Sequence, residues 1–290
     1  MSLLVTGGSG QVARALGALG VRVVGRPDFD FDRPETIAVV FAAEKPSLVV
    51  NAAAYTAVDA AEGDAEAAFR ANRDGPGELA RLCAAAGIPL LHLSTDYVFD
   101  GSKGAPYVED DPVAPLGVYG RSKLAGEQAV LSGCPRAIIL RTSWVYAATG
   151  KNFVRTMLGA ATKTNRLRVV ADQRGCPTAA VDLADVILTI AGRIGRDGWR
   201  EDFAGVFHAA GTGATTWHGF AHAIFAETAA HGMAAPVVEA ISTADWPTPV
   251  RRPADSRLDC GKLASVFDLS LPPWQESLAR VVREILAQTR

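Results

Sequence analysis

A chain of 290 residues, 49% hydrophobic and 21% charged, has room for one large α/β domain, or a larger domain with a smaller lobe, and is excluded from the disordered and fibrous classes. Its 29 basic and 31 acidic side chains leave a formal charge of −2 with neither sign gathered in a block, so neither a nucleic-acid polymer nor an anionic membrane is an expected partner. Cys83, Cys134, Cys176 and Cys260 lie far apart with no C-x-x-C pair, which points away from a disulfide framework or thiolate zinc site and fits a reducing cytoplasm.

The amino terminus carries no basic n-region and runs into a strand, so no secretory signal is expected. That strand, Leu3–Val5, leads into Thr6-Gly-Gly-Ser-Gly-Gln-Val-Ala13. Small residues between a strand and a helix let backbone amides approach a pyrophosphate, and Gly7, Gly10, Gln11 and Val12 are candidates for that contact. The spacing is G-x-x-G-x-x-A, so a plain tight turn is the alternative. A second strand, Val21–Val24, ends at Gly25-Arg26-Pro27-Asp28 with no acidic residue at its tip. Arg26 there can pair with a 2′-phosphate, which favours NADPH over NADH, although Asp28 is near enough to play the opposite role.

A helix over Pro34–Ala43 follows, with Asp32 as a cap and Pro34 in its first turn. Leu48–Val50 is the third strand, and a helix is expected from Asp64 to Ala86, stopping at Gly87. The fourth strand, Ile88–Leu93, delivers Ser94-Thr-Asp-Tyr-Val-Phe-Asp-Gly101 to the carboxyl end of the sheet, where open α/β folds bind ligands. Tyr119 and Lys123 stand at i and i+4 on the next helix. An ammonium beside the phenol would draw the tyrosine down from its ordinary value of ~10, making Tyr119 a general acid. Ala137–Leu140 is the fifth strand, and this alternation predicts a doubly wound parallel sheet.

Beyond Asn165 proline-rich loops interrupt the pattern, so residues 1–165 read as the dinucleotide-binding part and 166–290 as a smaller lobe with some segments returning to the sheet. Leu278, Val281, Val282, Ile285 and Leu286 fall at helical spacing in a docked terminal helix, Trp274–Gln288. The longest uncharged stretch, Phe203–Ala226, is broken by Gly, Thr and His, so no membrane span is expected. His218 and His222 lie one turn apart without a third ligand and read as part of a half-buried helix.

A glycine turn, a strand-end hydroxyl and a downstream Y-x-x-x-K resemble the extended short-chain dehydrogenase/reductase superfamily. Within it, Asn51-Ala-Ala-Ala-Tyr-Thr-Ala-Val-Asp-Ala-Ala-Glu62, Ser94–Gly101, Pro115–Glu127, Arg141-Thr-Ser-Trp-Val-Tyr146, Asp172–Thr178, Thr216-Trp-His218, Pro247–Pro253 and Ser256–Leu258 resemble the dTDP-4-dehydrorhamnose reductase family along nearly the whole chain. The resemblance implies a Rossmann-like fold, NADPH or NADH as cofactor, and reduction of a 4-keto-6-deoxy sugar nucleotide for a bacterial surface glycan. It implies that Thr95 orients the keto oxygen, Tyr119 donates the proton and Lys123 tunes the tyrosine and holds the nicotinamide ribose. Asp96, Tyr97 and Trp144 would meet the sugar, with Asp96 also a candidate to help relay a proton, Asp30 and Phe31 the adenosine end, and Ala53, Ala54, Tyr55 and Thr56 the nicotinamide side. Asn72 would support the site, and Arg252 is a candidate diphosphate contact.

Some members dimerise through a carboxylate-bound metal near the first helix. Here that helix reads Ala13-Arg-Ala-Leu-Gly-Ala-Leu, so a monomer or weak homodimer without a bridging metal is expected. Two alternatives share the same motifs: a ketoreductase or epimerase acting on another sugar nucleotide, and a non-catalytic NADP-binding regulatory subunit resembling the partner of methionine adenosyltransferase.

Overall fold

Short aliphatic runs form the middle layer of the molecule because a parallel sheet is covered on both faces and each strand must be apolar throughout. The computed structural model describes residues 2–288. Strands β1 (Leu3–Thr6), β2 (Arg22–Val24), β3 (Leu48–Asn51), β4 (Leu90–Thr95) and β5 (Ala137–Thr142) join Gly205–His208 in a six-stranded sheet. The order is Gly205–His208, β5, β4, β3, β1, β2, all parallel. Chain progression reverses between β1 and β3, the position at which such sheets open a ligand crevice beyond their carboxyl ends. In register there, Thr6 faces Asn51 and Asn51 faces His92.

Helices α1 (Gln11–Ala18), Ala180–Asp197 and Gly261–Phe267 pack one face around Leu16, Ile187, Ile190 and Phe267. The other face is closed by α2 (Pro34–Glu44), α5 (Gly75–Ala85) and α6 (Val118–Gly133) around Ile37, Leu79, Cys83 and Val130. The chain thus returns to the sheet after residue 165, as Ala180–Asp197 against α1 and as Gly205–His208 beside β5. A third core, built on Tyr146, Phe220, Trp274, Val282 and Ile285, holds the paired strands Arg166–Val170 and Val237–Ile241 to helices Trp217–Ala230 and Trp274–Gln288. In the terminal helix Leu278, Val281, Val282 and Ile285 are buried and Leu286 is half-buried, as their spacing predicts.

Two local expectations are corrected. Asp32 does not cap α2: Arg33 occupies that position without a side-chain bond, and the Asp32 carboxylate pairs with Arg26 and Arg70. After the short helix α3 (Val58–Ala61), the helix expected over 64–86 is α4 (Ala65–Phe69), a π-turn over Arg70–Asp74 and α5, and it stops where Gly87 takes a φ of +67°. The wider turn places Asn72 inward against α6, beside Ser122 and Gly126. A methyl group on Gly126 would lie 1.9 Å from the Asn72 backbone oxygen.

Gly126→Ala should therefore destabilise the protein by roughly 1–3 kcal/mol despite the ~1 kcal/mol that alanine contributes in a helix interior. Urea unfolding read by circular dichroism checks this; an unchanged or higher midpoint would show that the helices do not touch there.

Candidate active site

The site begins with the turn after β1. Gly7 has a φ of +103°, and a Cβ on it would meet the Ala52 carbonyl at 2.7 Å, so only glycine lets this loop lie against the end of β3. Gly10 is the residue before α1 and gives it no side-chain cap, so the amides of Gln11, Val12 and Ala13 lack intrahelical partners. A dinucleotide pyrophosphate fits this cradle: side chains are absent where the backbone must approach it, and the helix start supplies donors and a positive dipole end. The Gln11 side chain is tied elsewhere, donating to the Val145 carbonyl at 3.2 Å and accepting from Asn152 at 3.0 Å.

After β2, the Arg26 guanidinium is held by Asp30 at 2.9 Å and Asp32 at 2.6 Å. Phe31 is buried, its ring edge-on to Phe29 and close against Gly75, so that ring belongs to the core. The loop Ala53–Thr56 follows β3 and is pinned twice by Asn72, which accepts from the Tyr55 N–H at 2.8 Å and donates to the Tyr55 carbonyl at 3.1 Å. Asn72 also donates to Ser122 at 2.9 Å, and Ser122 donates to the Tyr119 carbonyl. One buried amide therefore links the loop to the helix that carries Tyr119 and Lys123.

Thr95, the last residue of β4, donates to Asp96 Oδ1 at 3.1 Å and accepts from the Tyr97 N–H. Asp96 is 2% exposed, and its Oδ2 finds no hydrogen-bond partner among the described residues. Burial pushes its carboxyl up to about 7, against the pull of the nearby Ser256 and Thr95 hydroxyls. The Tyr97 ring stands edge-on to Tyr119 with centroids 5.7 Å apart. Tyr119 lies at the start of α6, whose first N–H, that of Val118, is taken by Glu62 Oε1 at 2.7 Å.

Burial also raises the Tyr119 phenol, with Thr95 pulling it back and Asp96 pushing the same way as burial. This differs from the expectation that Lys123 draws the phenol down. The Lys123 amine donates to the Leu93 carbonyl at 2.6 Å and lies 3.4 Å from His92 Nε2, while burial lowers it to about 8.

Trp144, at a φ of +48°, stacks on Trp217 with centroids 3.5 Å apart and covers Gly175. Trp217 is thus half of an aromatic pair, anchored by its indole N–H to Gln173 at 3.2 Å. Arg252 pairs with Asp59 at 2.9 Å, and the Tyr97 phenol also feels its charge. Arg252 Nε and Asp59 Oδ1 are buried without partners among the described residues. Cys176 is buried, and its thiol is pushed up to about 11 by burial, which makes it an inert packing group. No group of three His, Cys, Asp or Glu side chains among the described residues is placed to hold a metal ion.

A family model described as the RmlD substrate binding domain matches residues 1–287. The dTDP-4-dehydrorhamnose reductase of Sinorhizobium fredii is 46% identical over 293 residues, spanning 99% of each chain. Among solved structures, a dTDP-4-dehydrorhamnose reductase of Clostridium acetobutylicum superposes with a TM-score of 0.89 at 35% identity, covering 99% of this chain and 100% of that one. The enzyme of Bacillus anthracis, solved in complex with NADP, gives 0.86 at 31% identity over 97% of this chain and 98% of its own. The chain belongs to the dTDP-4-dehydrorhamnose reductase family.

As a member of that family the chain is an oxidoreductase, and its glycine cradle suits NADPH or NADH. Reasoning from sequence overlooked four parts of this reductase's site. Glu62 and Asp59 stood in a quoted motif without a role, because a helix start more than fifty residues downstream and an ion pair with Arg252 leave no local signal. Asn51 stood at the head of a quoted motif and His92 inside a strand, both without a role, because nothing in one strand announces which residue of a neighbouring strand it faces. No helix among the described residues is long and apolar enough to cross a membrane.

The Asp96 carboxyl yields a pH prediction. Its native form titrates near 7 and its unfolded form near ~3.9, so between these values the folded reductase binds more protons and its stability falls as pH rises, levelling off above 7. Asp96→Asn, which cannot ionise, should gain on the wild type by up to roughly 4 kcal/mol between pH 4 and 8. Urea midpoints across that range check it, and a constant difference would place the carboxyl in water.

Proposed function

We propose that this reductase converts dTDP-4-dehydro-L-rhamnose to dTDP-L-rhamnose by reducing the C4 keto group with NADPH or NADH, in the cytoplasm, for rhamnose-containing surface polysaccharide. The observation that carries the reading is a polar corner at the carboxyl end of β4, where Thr95 bonds Asp96 at 3.1 Å, the Tyr119 phenol feels both of them, and one Asp96 oxygen has no partner among the described residues. A keto oxygen in that corner can take the Tyr119 O–H and, once the Thr95 hydroxyl turns from Asp96 towards it, a second donor, and a sugar hydroxyl can donate to the Asp96 carboxyl.

When bound, the dihydronicotinamide supplies the hydride that adds to C4. Everything else is the work of this chain's own side chains and backbone amides. Thr95 orients the keto oxygen, and Tyr119 gives its proton to that oxygen as negative charge develops on it. A phenol held above its ordinary value keeps its proton until the alkoxide forms, which suits a donor. Lys123 compensates the phenolate left behind and offers its amine to a ribose hydroxyl. Gly7, Gly10, Gln11 and Val12 carry the pyrophosphate, with Ala53 to Thr56 and Asn72 forming the nicotinamide wall. Asp30 and Phe31 border the adenosine end, and Arg26 favours a 2′-phosphate.

On the substrate side, Asp96, Tyr97 and Trp144 bound the sugar, and Arg252 meets the diphosphate. We assign most sugar-nucleotide contacts to residues 166–290, and we assign a monomer or weak homodimer without a bridging metal.

Purified protein with dTDP-4-dehydro-L-rhamnose should oxidise NADPH or NADH with formation of dTDP-L-rhamnose, followed by absorbance and product NMR. A different product stereochemistry would move the assignment to another sugar-nucleotide ketoreductase or an epimerase, and inertness of folded, nucleotide-binding protein would favour a regulatory subunit. Tyr119→Phe should lower kcat by about 10²–10⁴ while the Kd for NADPH stays unchanged; full activity would remove Tyr119 from the mechanism. Arg26→Ala should raise KM for NADPH about tenfold, the worth of one charge-assisted contact, and leave KM for NADH unmoved; equal effects on both would mean that Arg26 does not read the 2′-phosphate.

A further inference from the structure

Four buried polar side chains, from the glycine turn to the lysine, form one line. Thr6 and Asn51 are fully buried, as is His92, and Lys123 is 2% exposed. Their order follows the register of β1, β3 and β4. The Thr6 hydroxyl donates to Asn51 Oδ1 at 2.6 Å, and the Ala53 N–H donates to the same oxygen at 3.2 Å. Two donors on Oδ1 fix the amide, so its nitrogen faces His92 Nδ1 at 2.8 Å. An amide nitrogen only donates, which makes Nδ1 the accepting nitrogen and leaves the proton of the neutral imidazole on Nε2. Nε2 in turn lies 3.4 Å from Lys123 Nζ.

We propose that His92, its tautomer dictated by Thr6 and Asn51, is a positioning residue that presents an N–H to the Lys123 amine and so lowers that amine's affinity for a proton. An ammonium facing an N–H meets a donor with a donor, whereas a neutral amine accepts the N–H through its lone pair while still donating to the Leu93 carbonyl.

The other groups around the amine do not reverse this bias. Glu127, one turn further along α6, draws Lys123 upward, but both its oxygens are engaged by Arg141 at 2.9 and 2.7 Å and one also takes the Ser94 hydroxyl. Tyr119, one turn back, rests as a neutral phenol. The lowering of Lys123 to about 8 and of His92 well below its ordinary range agrees with this geometry, burial leading in each case. The bias matters for catalysis only if Lys123 is the site lysine of the reading above. It then ties the amine one turn from Tyr119 to the strand end from which the dinucleotide turn departs.

Two NMR measurements on the full chain test the proposal, and neither depends on turnover. In the long-range ¹H–¹⁵N spectrum of the wild type, His92, assigned by its loss in His92→Phe, should show a protonated Nε2, a bare Nδ1 and no titration between pH 5 and 8. The opposite tautomer, or a titration in that range, overturns the proposal without any further variant having to fold. Second, Asn51→Asp turns the line around: a carboxylate accepts from Nδ1–H, and Nε2 then accepts from the ammonium. In ¹³Cε-lysine-labelled protein the Lys123 midpoint, assigned with Lys123→Met, should rise at least tenfold in proton affinity, and in the His92→Phe background the rise should fall to less than half. Equal rises in both backgrounds would mean that the imidazole relays nothing. If these results hold while the sugar nucleotide is not reduced, the functional reading fails and the hydrogen-bonded line stands.

Discussion

A lysine amine enclosed at the floor of a parallel sheet is the constraint on which the rest of this site turns. Taking an ammonium out of water is costly unless it is paired, and the carboxylate nearest to Lys123 is already satisfied by Arg141 and Ser94. The amine is therefore held by a carbonyl of β4 and by an imidazole rather than by a counter-charge. That solution demands a neutral, correctly oriented histidine, which demands an oriented asparagine, which demands the hydroxyl that ends β1. Parallel strands bring these residues into one row because their carboxyl ends lie side by side, so the topology that opens the crevice also builds its polar floor.

A second support reaches the site from the helical side. The π-turn over Arg70–Asp74 inserts one residue into a helix and swings Asn72 onto Ser122 and the Tyr55 backbone. Glu62 closes the start of α6 from a different short helix. Tyr119 is thus fixed by two elements that precede it by some fifty residues, and Lys123 by the sheet beneath it. Such dual anchoring leaves the phenol few ways to move away from the Thr95 hydroxyl.

What could be read from the chain divides along physical lines. Short aliphatic runs marked five of the six sheet strands, and 3.6-residue spacing marked the terminal helix, because burial on both faces leaves a strand no polar position and burial on one face leaves a helix one apolar stripe. Gly205-Val-Phe-His208 escaped because four residues between loops carry no period, and its place beside β5 is decided by a helix that returns from beyond residue 165. The π-turn escaped for the opposite reason: its residues fit an ordinary helix, and only the packing of Gly126 against Asn72 calls for the extra residue. Glycine turns, Thr95, Tyr119 and Lys123 were legible through the family they resemble. The protonation of Tyr119 and Lys123 was not, since it depends on how deeply each lies and on which groups already hold the neighbouring charges.

The cofactor question reduces to the same kind of competition at the opposite edge of the crevice. Arg26 is the residue after β2 able to meet a 2′-phosphate, yet its guanidinium already bridges Asp30 and Asp32, and Asp32 is shared with Arg70. A phosphate must draw Arg26 away from two carboxylates, and it then lies near their charges. A ribose hydroxyl faces no such repulsion and can instead donate to Asp30. The acidic pair therefore reduces the advantage that Arg26 gives NADPH, and because these side chains are solvent-accessible, salt weakens both the attraction and the repulsion. If Arg26 reads the 2′-phosphate as proposed, discrimination between the two nicotinamide cofactors follows that balance of surface charges, whereas the protonation of Tyr119 and Lys123 is set by burial and responds little to salt.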